Sequence, residues 1–214
     1  MADIDVIAGV AEKDWDSFAN KVIFASAQVK WIHVTIADGT MGTDATLTDF
    51  TKLPDLMAEL PHLSFEAHLV CANPEKYAHA LTDAGFTRLI AHVECNDPRR
   101  FLAEAKYDEV EVGIAMDGAT EIEEVEPFLE EVDFVVVMSA EAGATGGTFL
   151  PEAVEKVKII RQNLPDLPIE VVGGITESTV KSVKDAGATR IVSTAYLFGH
   201  PEGVEAAVET LASA

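Results

Sequence analysis

Positive charge is scarce in this chain: 15 lysines and arginines stand against 37 aspartates and glutamates, a formal net charge of -22. A field of that sign repels phosphate backbones and anionic lipid, so nucleic acid and membrane surfaces are not expected partners. Any small anion that binds must be held locally, by backbone N–H groups. A halophilic source would share the acidic excess, but composition favours an ordinary acidic cytoplasmic protein. Cysteine is nearly absent as well. Cys71 and Cys95 are too few for a disulfide framework in 214 residues, and both are read as reduced, buried, hydrophobe-like side chains. The first residues lack the basic region, apolar run and cleavage site of a secretory leader, which again points to the cytoplasm. No Gly-x-Ser-x-Gly elbow occurs, and no lysine ends a strand candidate, which argues against serine-nucleophile and Schiff-base chemistry.

What the chain does have is alternation. Eight β-branched runs begin at Val6, Trp31, Leu63, Thr87, Val110, Asp133, Pro168 and Thr189, separated by longer amphipathic stretches. Repeated βα units predict a parallel sheet, and eight of them in 214 residues predict one α/β domain over residues 1–214, a single (β/α)8 TIM barrel. Helix punctuation agrees with this. Asn73 and Pro74 read as the N-cap and first position of a helix closing at Gly85, and Thr176 to Gly187 repeats that grammar. The longest non-periodic stretches, ADGTMGTDATLT and SAEAGATGGTF, both follow strand ends, where βα loops build the active face of such a barrel.

Four segments, WIHVTIADG, EAHLVCANPEKY, VVMSAEAGATGGTFLPEAVEKVKIIR and IEVVGGITESTVK, together resemble the ribulose-phosphate 3-epimerase family, in the family's order and on the expected strands. The resemblance implies a carbohydrate isomerase of pentose phosphate metabolism. In that family two His and two Asp hold a divalent metal, zinc, manganese or iron. The two Asp also act as acid and base on opposite faces of the sugar. His33 and His68 stand at the histidine positions here, but the acid positions hold Thr35 and Val172. The metal site is therefore incomplete, and Asp38, which opens the turn after the second strand, is the best remaining acid near the mouth.

The phosphate end also departs from the pattern. Gly146 and Gly147 keep a shifted form of the family's glycine-rich loop, Gly173 and Gly174 keep the pair after the seventh strand, and Thr194 and Ala195 replace a Gly-Ser. Met138 matches a family methionine that lies over the substrate, and Gly9 replaces a serine that touches it. Bound phosphorylated sugar, or a similar small anion, is the expectation, with C3 epimerisation impaired or altered. The rival reading is a non-catalytic barrel that binds a metabolite or a protein. Self-association is carried over from the family as an expectation, and Phe50, Leu53 and Phe101 are apolar residues that either an interface or helix packing would use. His92 shares an inward face with Glu94 and could approach His33 and His68, as a third zinc-binding imidazole or as a hydrogen-bonded core residue.

Overall fold

A computed structural model describes residues 4–107, 110–140 and 147–214. Eight parallel strands close into a barrel in sequence order: β1 (Asp5–Val10), β2 (Trp31–Ala37), β3 (Ser64–Val70), β4 (Arg88–His92), β5 (Glu111–Met116), β6 (Phe134–Met138), β7 (Ile169–Val172) and β8 (Arg190–Ser193). Each begins within a residue of the position that alternation predicts. Closure is made by β1 against β8, with Asp5 opposite Arg190. Around the barrel run α1 (Trp15–Ala25), α2 (Leu53–Glu59), α3 (Ala78–Asp83), α4 (Pro98–Tyr107), α5 (Ile122–Val125), α6 (Glu152–Asn163), α7 (Glu177–Ala186), α8 (Ala195–Gly199) and α9 (Gly203–Ser213).

Most of the apolar core lies between strands and helices, because every strand turns alternate residues outward onto the helical ring. Phe50, Leu53 and Phe101 are buried there, so helix packing accounts for them and an exposed interface does not. Cys71 belongs to the same shell, and burial pushes its thiol up to about 12 and that of Cys95 to about 11, as unreactive core cysteines require. The Thr176 cap and the left-handed Gly187 end α7 as expected. Asn73 does not cap a helix with its side chain; it accepts a hydrogen bond from Asn96, and the chain starts with a 3-10 turn over Pro74–Lys76 before α3.

The barrel interior is unusually polar at its lower end. The inward apolar cluster is limited to Ile90, Ala115, Phe134, Val136 and Met138, with Val172 packed against it. Below and beside it sit Glu66, Arg88 and Glu170, all buried. The Arg88 guanidinium lies 3.5 Å from the Trp31 ring centroid and bonds Glu111 at 2.7 Å and Glu66 at 3.3 Å. Buried charges must be paired, and this layer is an ionic plug rather than an apolar one.

Candidate functional site

A cavity of about 360 Å³ opens at the C-terminal ends of the strands. Its wall mixes apolar side chains with threonines, Thr35, Thr46, Thr176, Thr179 and Thr194, and His68, Met138 and Val172 also line it. Both long loops contribute, Asp44 and Thr46 from the one after β2, Gly147 and Phe149 from the one after β6. No lysine or arginine is among the lining residues described. Of the residues singled out from sequence, Thr35, His68, Met138, Gly147, Val172, Gly173, Gly174 and Thr194 converge here. Gly146 falls outside the described residues.

Asp38 is not part of the lining. Its carboxylate accepts the Thr40 N–H at 3.0 Å, the Thr40 hydroxyl at 2.5 Å and the Tyr77 hydroxyl at 3.1 Å. Slight burial works against its charge, and these donors outweigh that and hold its carboxyl below the usual range. It serves its own turn. The acid on the cavity rim is Asp44, exposed and paired with Lys13 at 2.8 Å.

Gly173 and Gly174 adopt φ of +109° and +63°, and a Cβ at the first would stand 2.7 Å from the Ala140 Cβ and 2.9 Å from the Ala140 N. Only glycine allows the end of β7 to pass so close to the end of β6. Ser139 fixes that crossing, donating its N–H to the Val172 carbonyl at 2.8 Å. At β1 the missing serine has a spatial explanation. A Cβ on Gly9 would lie 2.2 Å from the Thr194 Oγ1, so the Thr194 side chain fills the space that any side chain at position 9 would need. Gly9 and Thr194 are thus sterically linked, the bulk that position 9 lacks being supplied from the end of β8.

Beneath the cavity three imidazoles form a hydrogen-bonded column. His33 Nδ1 lies 2.8 Å from Glu66 Oε1, its Nε2 3.1 Å from His68 Nδ1, and His68 Nε2 2.8 Å from His92 Nε2. His92 Nδ1 reaches Glu94 at 3.0 Å, and Glu94 also accepts the Asp117 N–H at 2.8 Å and the Thr120 hydroxyl. Burial opposes the Glu94 charge, but those three donors outweigh it and hold the carboxyl at about 2. Burial would likewise keep His33 neutral, yet Glu170 and Glu66 facing it push it up to about 9. His68, buried between two imidazoles, is driven well below its usual range and is neutral. Glu170 is raised by burial and by the charge of Glu66, and Glu66 is lowered, against its burial, by His33 and Arg88.

The mouth does not offer the donor set of a two-His, two-Asp metal centre. His33 and His68 are brought together, but both ring nitrogens of each are engaged in the column, and Thr35 and Val172 supply no carboxylate. A different group is assembled one layer lower, where ligand atoms of His33, Glu66 and Glu170 all lie within 4.8 Å of one another. The two glutamates were overlooked in the sequence. Each precedes an inward residue, His68 or Val172, by two positions, and strand alternation carries that signal.

Known proteins resemble this chain in sequence and in fold. Residues 6–198 match the model of the ribulose-phosphate 3 epimerase family. The ribulose-phosphate 3-epimerase of Schizosaccharomyces pombe is 31% identical over 187 residues, covering 85% of this chain and 80% of that protein. The cytoplasmic isoform of ribulose-phosphate 3-epimerase from Oryza sativa is 32% identical over 196 residues, covering 86% and 84%. Among solved structures, 3-hexulose-6-phosphate synthase from Salmonella typhimurium superposes with a TM-score of 0.72 at 14% identity, covering 98% of this chain and 97% of that one. At such identity the likeness is one of fold alone.

Proposed function

The chain belongs to the ribulose-phosphate 3-epimerase family, and from that premise we propose that it binds a phosphorylated sugar or similar small anion in the mouth cavity. We further propose that metal-assisted epimerisation at C3 is impaired or replaced. One observation carries the second part: Thr35 and Val172 line the same cavity from β2 and β7, where proton exchange on opposite faces of a sugar would need two carboxylates. A threonine hydroxyl is too weak an acid for that exchange, and valine takes no part in it. The neutral His68 has both nitrogens bonded to other imidazoles and offers no free base.

The binding half rests on the lining. The hydroxyls of Thr35 and Thr194 suit those of a sugar, and the backbone around Gly173 and Gly174, with the start of α7 at Thr176, can offer N–H groups to phosphate. With no cationic side chain in the described wall, that binding depends on backbone dipoles rather than on ion pairs.

The test incubates the purified protein with D-ribulose 5-phosphate in deuterated water, with and without zinc, manganese or iron. Saturable shifts of the Gly173 and Gly174 amide signals without deuterium at C3 are expected. Exchange at C3 would overturn the impaired-epimerase reading, and absence of any shift would overturn binding. Thr35→Asp combined with Val172→Asp should restore some metal-dependent exchange at C3; if it does not, more than two residues separate this mouth from an active one.

A further inference from the structure

The histidine column runs from Glu94 at one end to the buried pair Glu66 and Glu170 at the other. Glu94 takes hydrogen bonds from Asp117 N–H and the Thr120 hydroxyl, so it meets His92 Nδ1 as an acceptor and places a proton there. With its Nδ1 proton given to Glu94, His92 can accept at Nε2 from His68 Nε2–H, in which case His68 Nδ1 accepts from His33 Nε2–H. At the far end stands His33 Nδ1, the one ring nitrogen of the column that faces carboxylates on β3 and β7 and can carry either a proton or a metal ion. It points at Glu66 Oε1, 2.8 Å away, and Glu170 Oε1, 3.4 Å away. Three such groups converging in a sealed interior repel one another unless protons or a cation stand between them.

A proton on Nδ1 answers only part of this. It satisfies Glu66, whereas both oxygens of Glu170 remain without any hydrogen-bond partner although the residue is completely buried. A divalent ion answers all three donors at once, where protons alone would need one on His33 Nδ1 and a second shared between Glu66 and Glu170; Arg88 is divided between Glu66 at 3.3 Å and Glu111 at 2.7 Å. We propose that His33 Nδ1, Glu66 and Glu170 form a divalent-metal site sealed inside the barrel, below the mouth and separate from it.

Donors about 2.1 Å from one ion stand up to about 4 Å apart, so atoms within 4.8 Å of one another need close by less than an ångström. One imidazole with two carboxylates suits zinc or manganese and disfavours magnesium, which holds its waters and prefers oxygen. The column supplies the support such a ligand needs, because His33 donates its other N–H to His68 and is thereby fixed in tautomer and orientation. The ion would tie β2 and β3 to β7 on the far side of the barrel. With all three ligands at 1% exposure or less, it is a structural ion enclosed during folding and not a catalytic one.

The full chain and Glu170→Gln should be unfolded in guanidinium, refolded with zinc, with manganese or with a chelator, desalted, and assayed for bound metal and thermal midpoint. The wild type is expected to retain one more ion per chain than the variant and to gain roughly 5–10 °C with metal, a gain that the variant lacks. Equal retention by both proteins would assign the metal to the acidic surface and overturn the site. If Glu170→Gln does not refold, X-ray absorption of the zinc-refolded wild type decides: one nitrogen with oxygen donors supports the site, and a two-nitrogen shell places zinc between His33 and His68 and overturns it. Retention of no ion, with nitrogen NMR showing His33 doubly protonated, would mean that a proton alone fills the gap. Each of these outcomes is independent of whether sugar phosphate binds at the mouth.

Discussion

The steric link between positions 9 and 194 can be measured by a double-mutant cycle. Gly9→Ala adds a Cβ that would meet the Thr194 Oγ1 at 2.2 Å and the Val192 Cγ1 at 2.9 Å. Threonine and valine are β-branched and stiff at χ1, so neither swings aside freely. Overpacking of this kind costs about 1–3 kcal/mol, which for a domain of this size lowers the thermal midpoint by roughly 2–12 °C. Thr194→Ala removes the Oγ1 and leaves its Cβ at 3.5 Å, an ordinary contact. In that background Gly9→Ala should be nearly neutral, because losing a glycine from a strand gains about 0.5–1 kcal/mol, which offsets the residual Val192 contact. The coupling between the two sites is therefore expected at about 1–2 kcal/mol. Urea unfolding of the four proteins, followed by circular dichroism, gives that number directly. A coupling within about 0.5 kcal/mol of zero would show that the two substitutions are independent and that the mouth has simply lost a polar group.

Two further perturbations follow from the same geometry. Glu94 is lowered from 4.5 to about 2 in the folded protein, so its contribution to stability is present above its unfolded value and is lost as pH falls from about 4.5 toward 2. At neutral pH that contribution is on the order of 3 kcal/mol. The stability advantage of wild type over Glu94→Gln should therefore shrink across that window, and an advantage that stays flat in acid-unfolding curves would refute the three-donor account of this carboxylate. Gly173→Ala combines a positive φ with a Cβ placed 2.9 Å from the Ala140 N, and it should cost about 2 kcal/mol or more in chemical denaturation; a neutral result would mean that the β6 and β7 ends separate easily.

Alternation of β-branched runs with amphipathic stretches located all eight strands within a residue, because a strand buried on both faces has few other ways to read. The family resemblance singled out Thr35, His68 and Val172, and all three line the cavity. What alternation does not encode is which inward residues meet across the barrel. Gly9 and Thr194 come from β1 and β8, the first and last strands, and become neighbours only when the barrel closes. Glu66 and Glu170 come from β3 and β7, and their apposition depends on how far each strand is staggered against the next, a quantity fixed by the whole barrel. Asp38 could be recognised as a turn residue from its Asp-Gly setting, but its bond to Tyr77, 39 residues away, could not.

Thr46 gives the long excursion after β2 a particular mechanical character. Its N–H donates to the Ala37 carbonyl at 2.9 Å, while its hydroxyl accepts the Ala37 N–H and donates to the Thr35 carbonyl, each at 2.9 Å. Residues 38–45 thus leave and rejoin β2 at one clasped point, like a buckle on a strap, and the strap itself is laced to its neighbours where the Thr40 hydroxyl accepts the Ala72 N–H at 2.8 Å and Asp38 accepts the Tyr77 hydroxyl. A change of length or composition that spares Thr46, Thr40 and Asp38 leaves the ends of β2 and β3 tied as they are, and anyone wishing to alter what the barrel accepts would begin with the residues between those anchors.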